Sequence, residues 1–160
     1  MKRIRTLAGV LGLVLLAATR TEPAAAQEKT MSMNKLTPVL FVPEIEPCLK
    51  FWVERLDFQK TVEVPEGNKL GFVILARDSV EVMYQSRASV AKDVPSLANA
   101  PSSSFLYVEV RGLDDIIKKL EGVEVVVPVR KTFYGAREIA VREPGGNVVA
   151  FAEFEQPAQP

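Results

Sequence analysis

The sequence repeats its own grammar, and that repeat constrains the fold more than any other feature. From Leu36 onward a strand-like run, a helical stripe and three more strand-like runs follow one another, and the same order returns from Phe105. In the first half, Leu36 to Val42 is rich in strand formers and Pro43 stops it. Ile45, Cys48, Leu49, Trp52 and Leu56 then fall at helical spacing, with Pro47 suited to the first turn. Lys60 to Val64, Leu70 to Ala76 and Val80 to Tyr84 read as strands, parted by turn-forming segments at Pro65-Glu66-Gly67-Asn68 and Arg77-Asp78-Ser79. In the second half, Phe105 to Val110 reads as a strand, and Leu113, Ile116, Ile117 and Leu120 form a helical stripe that Gly122 closes. Asp114 and Asp115 open that helix and Lys118 and Lys119 end it, as the helix dipole favours. Val123 to Val129, Arg137 to Arg142 and Val148 to Phe154 are the remaining strands, the last two joined through Pro144-Gly145-Gly146-Asn147. Each half reads βαβββ, which predicts an α+β fold of two similar modules. The repeat is too long for a solenoid unit of roughly 20–50 residues. Each helix would cover one face of its sheet, and the other faces would curl around a cleft between modules, where small ligands usually bind.

The boundaries follow from composition. Lys2, Arg3 and Arg5, the uncharged run Leu7 to Ala18, and Pro23-Ala24-Ala25-Ala26 form the three-part pattern of a secretory signal peptide over residues 1–26. The apolar run is too short to span a bilayer core of roughly 30 Å as a helix, so no stable membrane anchor is expected. Cleavage after Ala26 would leave Gln27 first and place the protein in the periplasm or outside the cell. Residues 27–35 read as a flexible leader, 36–155 as the folded domain and 156–160 as a frayed tail. Within the domain, module one covers 36–85 and module two 104–155. The Ser-, Ala- and Pro-rich stretch 86–103 links them, with room for one short helix.

What the chain lacks narrows its chemistry. The 20 basic and 20 acidic residues cancel, so no field points to nucleic acid or to an anionic membrane. The 160 residues contain no histidine, which removes the commonest metal ligand and the commonest general base at neutral pH. The single cysteine excludes an intramolecular disulfide. There is no phosphate-binding glycine loop, and no histidine to activate a serine or cysteine nucleophile.

Three stretches carry a family resemblance. Leu36-Thr37-Pro38-Val39-Leu40-Phe41-Val42 with Leu49-Lys50-Phe51-Trp52 and Leu56-Asp57-Phe58 is the first. Val80-Glu81-Val82-Met83-Tyr84 is the second, and Tyr134-Gly135-Ala136-Arg137 with Glu143-Pro144-Gly145-Gly146-Asn147 is the third. In order and spacing they resemble the vicinal oxygen chelate superfamily, which holds glyoxalases, bleomycin-resistance proteins and extradiol dioxygenases. The resemblance implies paired curved sheets around a cleft. It also implies four metal-ligand positions, which fall here on Thr37, Glu81, Phe105 and Ala150. Only Glu81 is a good ligand for a hard cation, although a one-residue slip would bring in Ser104. No metal and no other cofactor is therefore expected.

The expected ligand-contacting residues are Thr37, Glu81, Met83, Phe105, Tyr107, Phe133, Arg137 and Ala150. Glu81 and Met83 share one strand face and Val80 and Val82 the other. Phe105 and Tyr107 alternate with Leu106 and Val108, and either pair suits the core. Cys48 and Trp52 sit on the apolar helix stripe and read as core. Arg137 is either an anion partner or a surface arginine. Three functions remain open. The leading one is metal-free binding of a small organic molecule in the cleft between the modules, as in the bleomycin-resistance branch. A divergent lyase, isomerase or dioxygenase using Glu81 is the second, and a protein-interaction module the third. A homodimer is expected from the family resemblance, with exposed sheet edges to cover.

Overall fold

The computed structural model describes residues 33–101 and 103–154. The signal-peptide reading, most of the leader and the tail lie outside the described residues. The first module runs β1 (Val39–Val42), α1 (Glu46–Leu49), β2 (Gln59–Glu66), β3 (Lys69–Arg77) and β4 (Val80–Ser86). The linker holds α2 (Arg87–Asp93) and a 3₁₀ turn at Pro95–Leu97. The second module runs β5 (Phe105–Glu109), α3 (Leu113–Lys119), β6 (Glu124–Lys131), β7 (Ala136–Arg142) and β8 (Val148–Phe154). The sheets have equivalent orders, β1-β4-β3-β2 and β5-β8-β7-β6. In each, the first and last strands pair parallel and the hairpins antiparallel. The βαβββ grammar of the sequence is the observed architecture.

Two local features differ from the sequence reading. The stripe from Ile45 to Leu56 is not one α-helix, because after Leu49 the backbone widens into a π-helical stretch at Lys50–Arg55. That stretch buries both Phe51 and Trp52. Phe58 N–H reaches back to the Trp52 carbonyl at 2.9 Å, and Asp57 between them takes φ 55°, a left-handed turn usually left to glycine. The second difference is that the linker carries two short helical pieces rather than one. Ser86 caps the first by accepting from Ser89 N–H.

One core serves both modules. Leu40, Val42, Val73, Leu75, Val82 and Tyr84 from the first sheet meet Ile139, Val141, Val149 and Phe151 from the second, with Trp52 and Leu113 from the helical segments. At its centre the Trp52 indole N–H donates to Tyr84 Oη at 2.6 Å. The turn Glu143–Asn147 closes the core from the second module. Buried Glu143 accepts from Gly145 N–H at 2.7 Å, from Asn147 N–H at 3.0 Å and from the Asn147 side-chain amide. Asn147 Oδ1 in turn accepts from Ser104 N–H at 3.0 Å, which ties the linker's end to the turn. Gly145 has no space for a side chain, since a Cβ there would lie 2.7 Å from both Glu143 Oε1 and Val42 Cγ1. Burial pushes the Cys48 thiol up, and the Glu143 carboxylate beside it pushes the same way, so Cys48 is an inert core thiol. A second clamp lies at the surface. Arg55 Nη1 donates to the carbonyls of Lys119 at 3.1 Å and Glu121 at 2.8 Å, and Asp57 pairs with Lys119.

Candidate functional site

Strand alternation leaves each sheet a second face that the shared core does not use. On the first sheet the register assembles it in three rows. Glu81 stands beside Ala76, which stands beside Gln59. Val39, Met83, Ile74 and Val62 form the next row, and Phe41, Gln85, Phe72 and Val64 the third. Most of this face is apolar, and Val39, Val62 and Val64 are exposed. At the third row it meets α2, where Val64, Phe72 and Gln85 with Ser89, Asp93 and the ion pair of Glu66 and Lys92 line a hollow of about 480 Å³.

Glu81 and Met83 share this face, as their alternation with buried Val82 requires. Thr37 comes to Glu81 as well, and its hydroxyl donates to Oε1 at 3.1 Å. The cation beside Glu81 is Lys35, whose Nζ lies 2.7 Å from Oε2. The Lys35 ammonium, helped by the Thr37 hydroxyl, holds the Glu81 carboxyl below the usual carboxylate range. Arg137 does not serve this role, because it pairs with Asp114 at the start of α3. Lys35 was not legible as a partner, since it lies in a leader with no periodicity.

The second sheet resolves the ambiguity at β5. Leu106 and Val108 pack on the core, and Phe105 and Tyr107 are exposed on the other face. Tyr107 stands opposite buried Ala150, and Phe105 opposite Val148. Along the same face, Ala152 and Ala140 flank a residue that the sequence reading passed over. Glu138 is 5% exposed, accepts from Arg130 Nε at 2.9 Å and Nη2 at 2.7 Å, and accepts from the Tyr134 hydroxyl at 2.7 Å. The Tyr134 hydroxyl, then Arg130, hold its carboxyl below the usual range. A carboxylate between alanines on one strand parity was the signal for it. Phe133, at the tip of the β6–β7 hairpin, is fully exposed and packs edge-on to Tyr134.

Six of the eight expected residues thus fall into two groups, with Phe133 at the hairpin tip and Arg137, paired to Asp114, outside both. Thr37, Glu81 and Met83 gather on the first sheet and Phe105, Tyr107 and Ala150 on the second, with no hydrogen bond or ion pair between the groups among the described residues. Two grooves do lie between the modules, but other residues line them. One, of about 660 Å³, runs between the α1 segment and the Glu143 turn, and its rim includes Glu46, Lys50, Arg55 and Arg142. The other, of about 370 Å³, has Leu56, Phe58, Val108, Ile116 and Phe151 in its walls.

The four positions that resemblance assigns to a metal do not fit one. Phe105 and Ala150 offer no donor, which leaves only the Glu81 carboxylate and the Thr37 hydroxyl, too few ligands for a hard cation. Among the described residues no three His, Cys, Asp or Glu side chains converge.

The chain belongs to the glyoxalase/bleomycin resistance protein/dioxygenase superfamily, whose family model matches residues 32–151. No curated protein matches the sequence. Solved structures share the fold at low identity. TioX from Micromonospora is 15% identical with TM-score 0.61, over 77% of this chain and 100% of its own. The bleomycin-binding protein of Streptomyces verticillus, solved with copper(II)-bleomycin, is 24% identical with TM-score 0.54, over 79% and 100%. A lactoylglutathione lyase from Agrobacterium tumefaciens is 13% identical with TM-score 0.56, over 77% and 95%. A ligand-binding protein and a lyase resemble the chain alike, so the fold does not choose between those functions.

Proposed function

We propose that this is an exported protein that binds a small organic molecule without a metal, as a homodimer, against the open face of the first sheet. The observation that carries the reading is the three-row face itself: apolar side chains in register, with one oriented carboxylate, Glu81, at its end. A site of that kind buries an apolar body and fixes its orientation with a few polar groups. The copper(II)-bleomycin complex of the Streptomyces relative is a precedent for ligand binding on this fold. Dimerisation is supported by the apolar side chains left exposed on the second sheet, among them Phe105, Val125 and Val129. Export rests on the three-part pattern of residues 1–26.

Native mass spectrometry of protein purified from the periplasm tests the reading at once. The expected result is a chain beginning at Gln27, paired with a second copy, carrying an organic ligand and no stoichiometric metal. Glu81→Gln keeps the shape and removes the charge, and ligand affinity should fall by about 1–3 kcal/mol with the fold intact. A bound transition metal, or unchanged ligand occupancy in Glu81→Gln, would sink the proposal.

A further inference from the structure

In the three rows of the first sheet's open face, Glu81 is the one ionisable side chain. Its carboxylate is oriented, because Thr37 fixes Oε1. Oε2 is taken by an ammonium that the chain supplies from outside the sheet. The two partners are held very differently. Glu81 sits within a strand with its side chain 19% exposed, whereas the Lys35 side chain is 57% exposed and precedes β1. A long, exposed lysine stem gains rotamer freedom when it lets go, so the acceptor is permanent and the donor exchangeable. Alternate residues on one strand face are roughly 6.6–6.8 Å apart, which puts Gln85 about 13 Å from Glu81. Between them lie Met83 and its row-mates Ile74, Val39 and Val62.

We infer that this site selects an organic cation, an ammonium on an apolar body about 10 Å long, and that Lys35 fills the ammonium position until such a ligand displaces it. The inference rests on the reading of this face as the ligand site. The Lys35 Nζ contact demonstrates that an ammonium fits at Oε2, and the apolar rows lead away from it in one direction. An anion finds the Lys35 ammonium already committed to Oε2, and drawing Lys35 away would leave the Glu81 charge uncompensated beside it. A neutral ligand would gain the rows but would leave the Lys35–Glu81 pair in place. A ligand that must displace an internal competitor binds with its intrinsic affinity reduced by the fraction of sites left free. Removing the competitor therefore raises the affinity for cations alone.

The test compares n-octylammonium, n-octanol and octanoate, titrated calorimetrically into the full mature chain and into Lys35→Met and Glu81→Gln. Octylammonium should bind the wild type about tenfold tighter than octanol, the scale of one charged hydrogen bond, and octanoate should bind weakest. Lys35→Met should bind octylammonium about two- to fivefold tighter, the scale of an exposed ion pair, with octanol unmoved. Glu81→Gln should bind octylammonium and octanol alike. Equal binding of those two probes by the wild type, or no gain in Lys35→Met, overturns the inference while the face stays a ligand site. If no probe binds any of the three proteins, the ligand-site reading of this face falls with it.

Discussion

Replacing Glu143 with alanine should cost about 2–5 kcal/mol of folding stability, a large share of the roughly 5–15 kcal/mol of an ordinary domain. Glu143 is 1% exposed, and its carboxylate is the acceptor for Gly145 N–H, Asn147 N–H and the Asn147 side-chain amide. Alanine would leave these donors without their acceptor, and a buried unpaired polar group costs about 1–3 kcal/mol. Asn147 would also lose the contact that orients its Oδ1 toward Ser104 N–H. The turn packs tightly on Val42 and Cys48 of the first module, so the damage reaches both halves. A urea midpoint lowered by less than the equivalent of about 1 kcal/mol would show that the turn stands without its carboxylate.

Trp52→Ala should be about as damaging, at roughly 3–5 kcal/mol, through the cavity left in the shared core. Trp52 is 1% exposed and packs edge-to-face with Phe51 at 5.2 Å and with Phe58 at 4.8 Å. Trp52→Phe separates the two contributions. It keeps much of the ring packing and removes the indole donor to Tyr84 Oη, so a smaller loss of about 1–3 kcal/mol is expected. Trp52 is the chain's one tryptophan, so both variants need far-ultraviolet circular dichroism rather than emission as the unfolding signal. Equal losses for Phe and Ala would assign the whole effect to the hydrogen bond and contradict the packing argument.

The architecture was legible because two periodicities write it twice. Alternation at Val80–Tyr84 and the helical stripe of Leu113, Ile116, Ile117 and Leu120 each have one structural solution, and both appear. The π-helical turn was not legible, because the apolar spacing from Ile45 to Leu56 fits an ordinary α-helix, and only the burial of Phe51 beside Trp52 departs from it. Phe105 and Tyr107 alternate with residues equally apolar, and only pairing with β8 decides which pair meets the core. The face shared by Glu81 and Met83 followed from alternation, but the partner of Glu81 did not. Lys35 reaches it from a segment without secondary structure, whereas Arg137, in a strand, is drawn to Asp114. Glu143 was visible as a motif residue, yet its role depends on a backbone turn that folds three N–H donors onto one carboxylate.

The shared core also bears on how the chain assembles. The core cluster draws Val73, Leu75 and Tyr84 from one module and Ile139, Val141 and Phe151 from the other. As separate chains, the two halves would have to find each other by diffusion to build this cluster. The linker through α2 makes that encounter intramolecular, at an effective concentration in the millimolar range for a short tether. Joining the halves in one polypeptide thus makes formation of the core independent of how dilute the protein becomes.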